Sequence, residues 1–102
     1  MVINCSINGV NHNLHVLVSK NSKRQGLKGY PDIQKGEGVL FYYSSPKSHA
    51  YDFSEIQYPC KIMFIDDRMN VIHSETTRPY QLELVRCPKQ FNYVIEIPVW
   101  YN

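Results

Sequence analysis

An all-β or mostly β fold, built as a small antiparallel barrel or sandwich with one short helix, follows from three features of the sequence. Apolar residues fall into short runs of strand length, at 2–7, 10–18, 38–43, 62–65, 71–76 and 92–97. Turn-forming residues separate those runs, among them Asn8-Gly9, Asp66-Asp67 and a scatter of glycines and prolines. One stretch, residues 19–29, is polar, basic and glycine-terminated in the manner of a short helix.

Residues 2–7 alternate, with Ile3, Cys5 and Ile7 on one face and Val2, Asn4 and Ser6 on the other. Asn8-Gly9 predicts a two-residue hairpin turn, because both residues tolerate positive φ. The return strand, 10–18, puts Val10, His12, Leu14, Val16 and Val18 on one face and Asn11, Asn13, His15 and Leu17 on the other. In S-K-N-S-K-R-Q-G-L-K-G, residues 19–29, Asn21 or Ser22 is expected to cap one or two helical turns ending at Gly26 or Gly29. Residues 31–38 make a loop, and G-V-L-F-Y-Y at 38–43 is a strand by composition. A second loop is expected over 44–49, broken by Pro46, before a short strand within 51–56.

Residues 58–66, Y-P-C-K-I-M-F-I-D, hold four consecutive large apolar residues followed by turn-formers. They predict the central strand of the sheet, covered on both faces. Residues 66–70 turn the chain so that 71–76 pairs back antiparallel. Residues 80–85, bracketed by Pro79 and Pro88, fit either a strand or irregular structure. In 91–97 the alternation points Tyr93, Ile95 and Ile97 inward and Asn92, Val94 and Glu96 outward, and Pro98 ends the strand before an aromatic tail.

A chain of 102 residues is expected to form a single domain, 1–102, able to build a core without metal or disulfide staples. Cys5, Cys60 and Cys87 cannot all pair and none lies in a C-x-x-C spacing, which predicts reduced thiols and a cytoplasmic protein. No apolar run approaches the roughly 18 residues a membrane span needs, and no basic-then-apolar signal region opens the chain. A formal charge of +2 is too small to predict nucleic-acid binding by itself.

Four segments, in order and at fitting intervals, resemble the DUF192 family, an uncharacterised ancient conserved region. They are R-Q-G-L at 24–27, G-E-G-V-L-F at 36–41, the 58–66 stretch, and Y-V-I-E-I-P at 93–98. The resemblance implies a small, mostly β domain and no assigned activity. It also exposes departures. The polar family segment that ends in Met-Lys-Asn-Thr falls on Tyr51-Asp52-Phe53-Ser54-Glu55-Ile56, and an acidic family position falls on Lys61. Where family members continue with a further strand, this chain stops four residues after Pro98. It is a divergent, shortened member on this reading.

Candidate chemistry is sparse. His12 and His15 point to opposite faces of a strand, no histidine or cysteine pair has ligand spacing, and no metal or cofactor is expected. Cys60 sits at a position that is apolar in the family, so a buried structural thiol is expected, and Cys87 before Pro88 is read the same way. No nucleophile elbow or phosphate-binding glycine loop is present, which argues against an enzyme.

Three binding readings remain. A protein-interaction or adaptor role would use the aromatic pair Trp100 and Tyr101 or an uncovered edge strand. The small size and divergence would suit a virus-encoded binder of a host factor. A pocket for a small polar or anionic ligand would use Tyr51, Asp52, Phe53, Glu55 and Lys61 at a barrel mouth. Nucleic-acid binding would use Lys20, Lys23, Arg24 and Lys28, with Tyr30, Tyr42 or Tyr43 stacking a base. The family match favours structural roles for Arg24 and Gly26.

Overall fold

The computed structural model describes residues 1–99. They form β1 (Val2–Ile7), β2 (Val10–Leu17), α1 (Lys20–Gln25), a 3-10 turn (Gly26–Gly29), β3 (Glu37–Lys47), β4 (Tyr51–Phe53), β5 (Cys60–Ile65), β6 (Val71–Thr76), β7 (Gln81–Val85) and β8 (Phe91–Pro98). Six strands make one sheet in the order β1-β2-β3-β8-β5-β6, and β4 pairs with β7 in a second, two-stranded sheet. The fold is mostly β with one short helix, as the sequence predicts. Because β1 and β6 end the large sheet without meeting, it is sandwich-like rather than a closed barrel.

The first hairpin forms as expected, with Ile7 opposite Val10 and both turn residues at positive φ (Asn8 51°, Gly9 78°). The all-antiparallel expectation does not hold. β2 and β3 run parallel, Asn13 beside Glu37 through Leu17 beside Phe41. Parallel neighbours need a long crossover, and residues 18–36, which carry α1, supply it. The helix cap is Ser19, upstream of the expected Asn21 or Ser22. Its Oγ accepts the Ser22 N–H at 3.0 Å, and the Ser22 hydroxyl donates back to the Ser19 carbonyl at 3.1 Å. Gly26 ends the helix with φ 52°, as expected.

β3 continues through the segment expected to loop, as far as Lys47. Its register with β8 shifts between Tyr42 and Lys47, and this irregular stretch accommodates Pro46, which has no N–H to give. The centre of the large sheet is β3 and β8, with β5 one place in from the β6 edge. β5 is nonetheless covered on both faces: Cys60, Ile62 and Phe64 join the larger core cluster, Met63 and Ile65 the smaller. The larger cluster lies between the large sheet and the β4-β7 layer, and contains Phe41, Tyr43, Tyr51, Phe53, Val85, Phe91 and Val94.

The face assignment of β8 needs correction. Tyr93, Ile95 and Ile97 do pack in a core, but it is the smaller one, with Leu14, Met63 and Ile65. Val94 and Glu96, expected outward, are buried on the opposite face, 0% and 5% exposed. Strand alternation gives two faces, and β8 is covered on both.

Gly38 records how closely β3 and β8 approach. A Cβ there would lie 2.5 Å from Ile97 Cγ2 and 2.6 Å from the Glu96 carbonyl oxygen, and the latter is backbone that cannot rotate away. Gly38→Ala is therefore expected to destabilise the fold by about 1–3 kcal/mol, the usual scale for overpacking. The measurement is the urea midpoint, and a wild-type value would show that the two central strands separate at no cost.

Candidate functional site

The principal concavity has a volume of about 630 Å³ and opens between α1, the end of β3 and β4. This is within the roughly 300–1,000 Å³ of small-molecule sites. Its floor is apolar and aromatic, from Leu27, Phe41, Tyr43, Tyr51, Phe53 and Ile56. Its rim carries Lys20, Lys23, Arg24 and Lys28 from the α1 region and Lys47 and His49 from the far side. Asp52 and Glu96 are the acidic residues that line it.

Sequence explains the local arrangement. Strand alternation drives Phe41 and Tyr43 to one face of β3, and Tyr51 and Phe53 to the matching face of β4. The Tyr43 and Tyr51 hydroxyls meet in a buried 2.6 Å hydrogen bond. Burial raises both phenols above their ordinary range, so both remain neutral. The Lys23 ammonium lies 4.2 Å from the centre of the Tyr43 ring, a cation–π contact. Burial, and then the charge of Lys47, lower the Lys23 pKa. His49 stacks obliquely on Tyr51, ring centres 4.7 Å apart. Burial lowers its pKa first, with Lys47 and Lys23 adding to the effect, so the ring is neutral at physiological pH. Lys28 is tied to Glu55 at 2.8 Å, and both are exposed.

Glu96 lies at the bottom of this cavity. Gly26 leaves the space above it open: a Cβ there would stand 3.6 Å from Glu96 Oε1 and 3.3 Å from the tip of Phe41. Burial pushes the Glu96 carboxyl up to about 8, and among the described residues no cation or hydrogen-bond donor offsets that shift. At neutral pH the group is a carboxylic acid, able to donate.

The structure brings together only part of each predicted set. Tyr51, Asp52 and Phe53 line the cavity, and Glu55 reaches it through Lys28. Lys61 does not. It is half-buried on β5 between Cys60 and Ile62, so alternation turns it to the face opposite the cavity. Lys20, Lys23, Arg24 and Lys28 gather around the concavity, and of their three proposed stacking tyrosines Tyr43 lines it with them while Tyr30 and Tyr42 do not. Tyr30 stacks on His15 at 4.2 Å, Tyr42 packs near Tyr93 on the other sheet face, and Tyr43 is buried. Arg24 is exposed on the rim, whereas Gly26 does have the expected structural role. Trp100 and Tyr101 lie outside the described residues.

Cys60 is fully buried, and burial raises its thiol to about 12. His12 and His15 sit on β2, with His15 3.4 Å from Glu37. Among the described residues no group of three or more His, Cys, Asp or Glu side chains is placed to hold a metal ion. No helix among them is long and apolar enough to cross a membrane.

Sequence reasoning missed Glu96, Lys47 and His49 as site residues, while Tyr43, read as a stacking aromatic beside the basic segment, does line the cavity. For Glu96 a signal was present: one acid inside the run Y-V-I-E-I-P, which otherwise reads as a strand covered on both faces. Lys47 and His49 carried none, because their place depends on β3 extending past Pro46.

A mixed, sandwich-like β domain with a cationic cavity over its main core is thus defined. The chain belongs to the DUF192 family, described as "Uncharacterized ACR", whose model matches residues 3–99. Two solved structures share its fold. One is a protein from Sinorhizobium meliloti 1021, provisionally described as a transcription regulator (TM-score 0.78, 17% identity, covering 95% of this chain and 76% of that one). The other is a protein of unknown function from Novosphingobium aromaticivorans DSM 12444 (TM-score 0.78, 16% identity, covering 95% and 71%). No curated protein matches the chain.

The buried acid makes stability depend on pH. In the unfolded chain a glutamate ionises near 4.5, and in the folded protein Glu96 holds its proton up to about 8. Between those values only the unfolded state loses the proton, so stability is full below 4.5, falls as pH rises and levels off above 8. The slope contributed is up to about 1.4 kcal/mol per pH unit. Urea midpoints measured from pH 5 to 8 should decline in the wild type and flatten in Glu96→Gln. Equal slopes in the two proteins would mean that Glu96 ionises normally.

Proposed function

We propose that this protein binds a small organic anion, non-enzymatically, in the cavity between α1, β3 and β4. One observation carries the reading: five formal cations, Lys20, Lys23, Arg24, Lys28 and Lys47, surround a concave site with an aromatic floor. The lining acids do not balance them, since Glu96 is held neutral by burial and Asp52 is a single charge. Lys28 is already engaged by Glu55, which leaves four cations facing the opening. A ligand with an oxyanion head and a flat apolar body satisfies both halves of the site: the head meets the ammonium and guanidinium groups, and the body covers the aromatic rings. The free thiols of Cys5, Cys60 and Cys87 suit a reducing, cytoplasmic setting for this activity.

The test is calorimetric titration with phenyl phosphate, benzoate and benzylamine. The two anions should bind and the amine should not, and affinity for the anions should fall with added salt. Replacing Lys23 and Lys47 together with Gln is expected to weaken anion binding by at least about tenfold, the scale of losing one or two charged hydrogen bonds. Equal binding of anion and amine, or an unaffected double variant, would remove the cavity from consideration as an anion site.

A further inference from the structure

We propose that Glu96 is the specificity-determining residue of this cavity, donating its carboxylic proton to an oxygen of the bound oxyanion, so that binding requires a protonated Glu96 and fails in alkali. The inference rests on the anion-binding reading and adds to it a named contact and a regulation by pH.

The geometry supports this in three ways. Glu96 is 5% exposed, yet it is one of the residues that line the cavity. Gly26, at φ 52°, has no side chain, whereas a Cβ there would rest on Oε1 at 3.6 Å and cover it. Among the described residues nothing offsets the cost of burying the carboxyl, so its hydrogen-bonding capacity faces the cavity unused. An ionised carboxylate there would repel an anion, whereas a carboxylic acid supplies an O–H. A short O–H···O⁻ bond is among the stronger hydrogen bonds.

The other titratable groups around Glu96 leave a clear window. Tyr43 on β3, Tyr51 on β4, Tyr58 ahead of β5 and Cys60 on β5 all feel its charge, and burial moves all four upward, Cys60 to about 12. His49 is shifted down and is already neutral at pH 7. Asp52, shifted down by the Ser54 backbone N–H it accepts, is already ionised. Of the cations on the rim, Lys20, Lys23, Arg24, Lys28 and Lys47, burial and Lys47 lower Lys23, so it is the competing explanation for any loss of binding in alkali.

The experiment measures phenyl phosphate and benzoate affinity at pH 7 and pH 9 for the full chain and three variants. Wild type is expected to lose about tenfold, because a group titrating near 8 keeps only about a tenth of its proton by pH 9. Glu96→Gln carries permanent amide donors and should show no change between the two pH values. Glu96→Ala, which has no donor, should bind at least about tenfold more weakly than wild type at pH 7. Lys23→Arg keeps its charge throughout and should retain the wild-type pH profile. An infrared band of a protonated carboxylic acid, present in wild type at pH 7 and absent in Glu96→Gln, gives a readout independent of affinity. If the anions bind without pH dependence, or Glu96→Gln keeps the wild-type profile, or Lys23→Arg loses it, the role of Glu96 is overturned while the anion site stands. If neither anion binds at either pH, the anion site itself is overturned. Parallel loss of phosphate and carboxylate supports a general oxyanion contact, and loss of one alone identifies which head group Glu96 meets.

Discussion

β8 is covered on both faces, and the rest of the architecture follows from that constraint. It pairs with β3 on one side and β5 on the other, and sends Val94 and Glu96 into the larger core while Ile95 and Ile97 fill the smaller. A strand in that position has no solvent side on which to place a polar residue. Glu96 is therefore either an unrelieved cost or a functional group, and its burial next to a cavity favours the second. On the opposite face the strands approach just as tightly: at Gly38 no Cβ fits against Ile97 and Leu14.

The layer above β8 turns that buried acid into the floor of a site. β4 and β7 form only a small sheet, which does not extend over the whole face of the six-stranded one. The uncovered part lies beside α1, and aromatic side chains from β3 and β4 line it. In the Tyr43–Tyr51 hydrogen bond one phenol donates and the other accepts, and the accepting phenol keeps its own O–H as a further donor. That phenolic O–H, the neutral acid and the surrounding cations are the groups the cavity offers a ligand.

Much of the fold was legible in the sequence where one rule dominated. Asn8-Gly9 fixed the first hairpin through positive φ, Gly26 ended the helix for the same reason, and the 58–66 run marked a strand with two covered faces. Legibility ended where long-range pairing decides the outcome. That β2 and β3 run parallel depends on the path of residues 18–36 across the sheet, which no local pattern encodes. The faces of Lys61 and Glu96 were misjudged together, because alternation shows which residues share a face and not which of two faces is covered by a second layer. The cavity suffered most, since it depends on four separate segments meeting around one acid.

The helix beside the cavity is also better explained by the site than by the fold. α1 has six residues, none of them buried, and no acidic residue in its first turn. Such a segment is far below the length at which helices persist on their own, and Lys20 in its first turn opposes the helix dipole. Its stability comes from its two ends: the Ser19–Ser22 cap at the start, and Leu27, 2% exposed, anchoring the 3-10 turn that follows. A connection serving only to carry the chain from β2 to β3 would gain from an apolar stripe facing the sheet. This one instead spends its side chains on Lys20, Lys23 and Arg24, three of the cations that ring the opening. Holding the helix by its ends leaves its sides free, and those free sides supply the charge that the floor lacks.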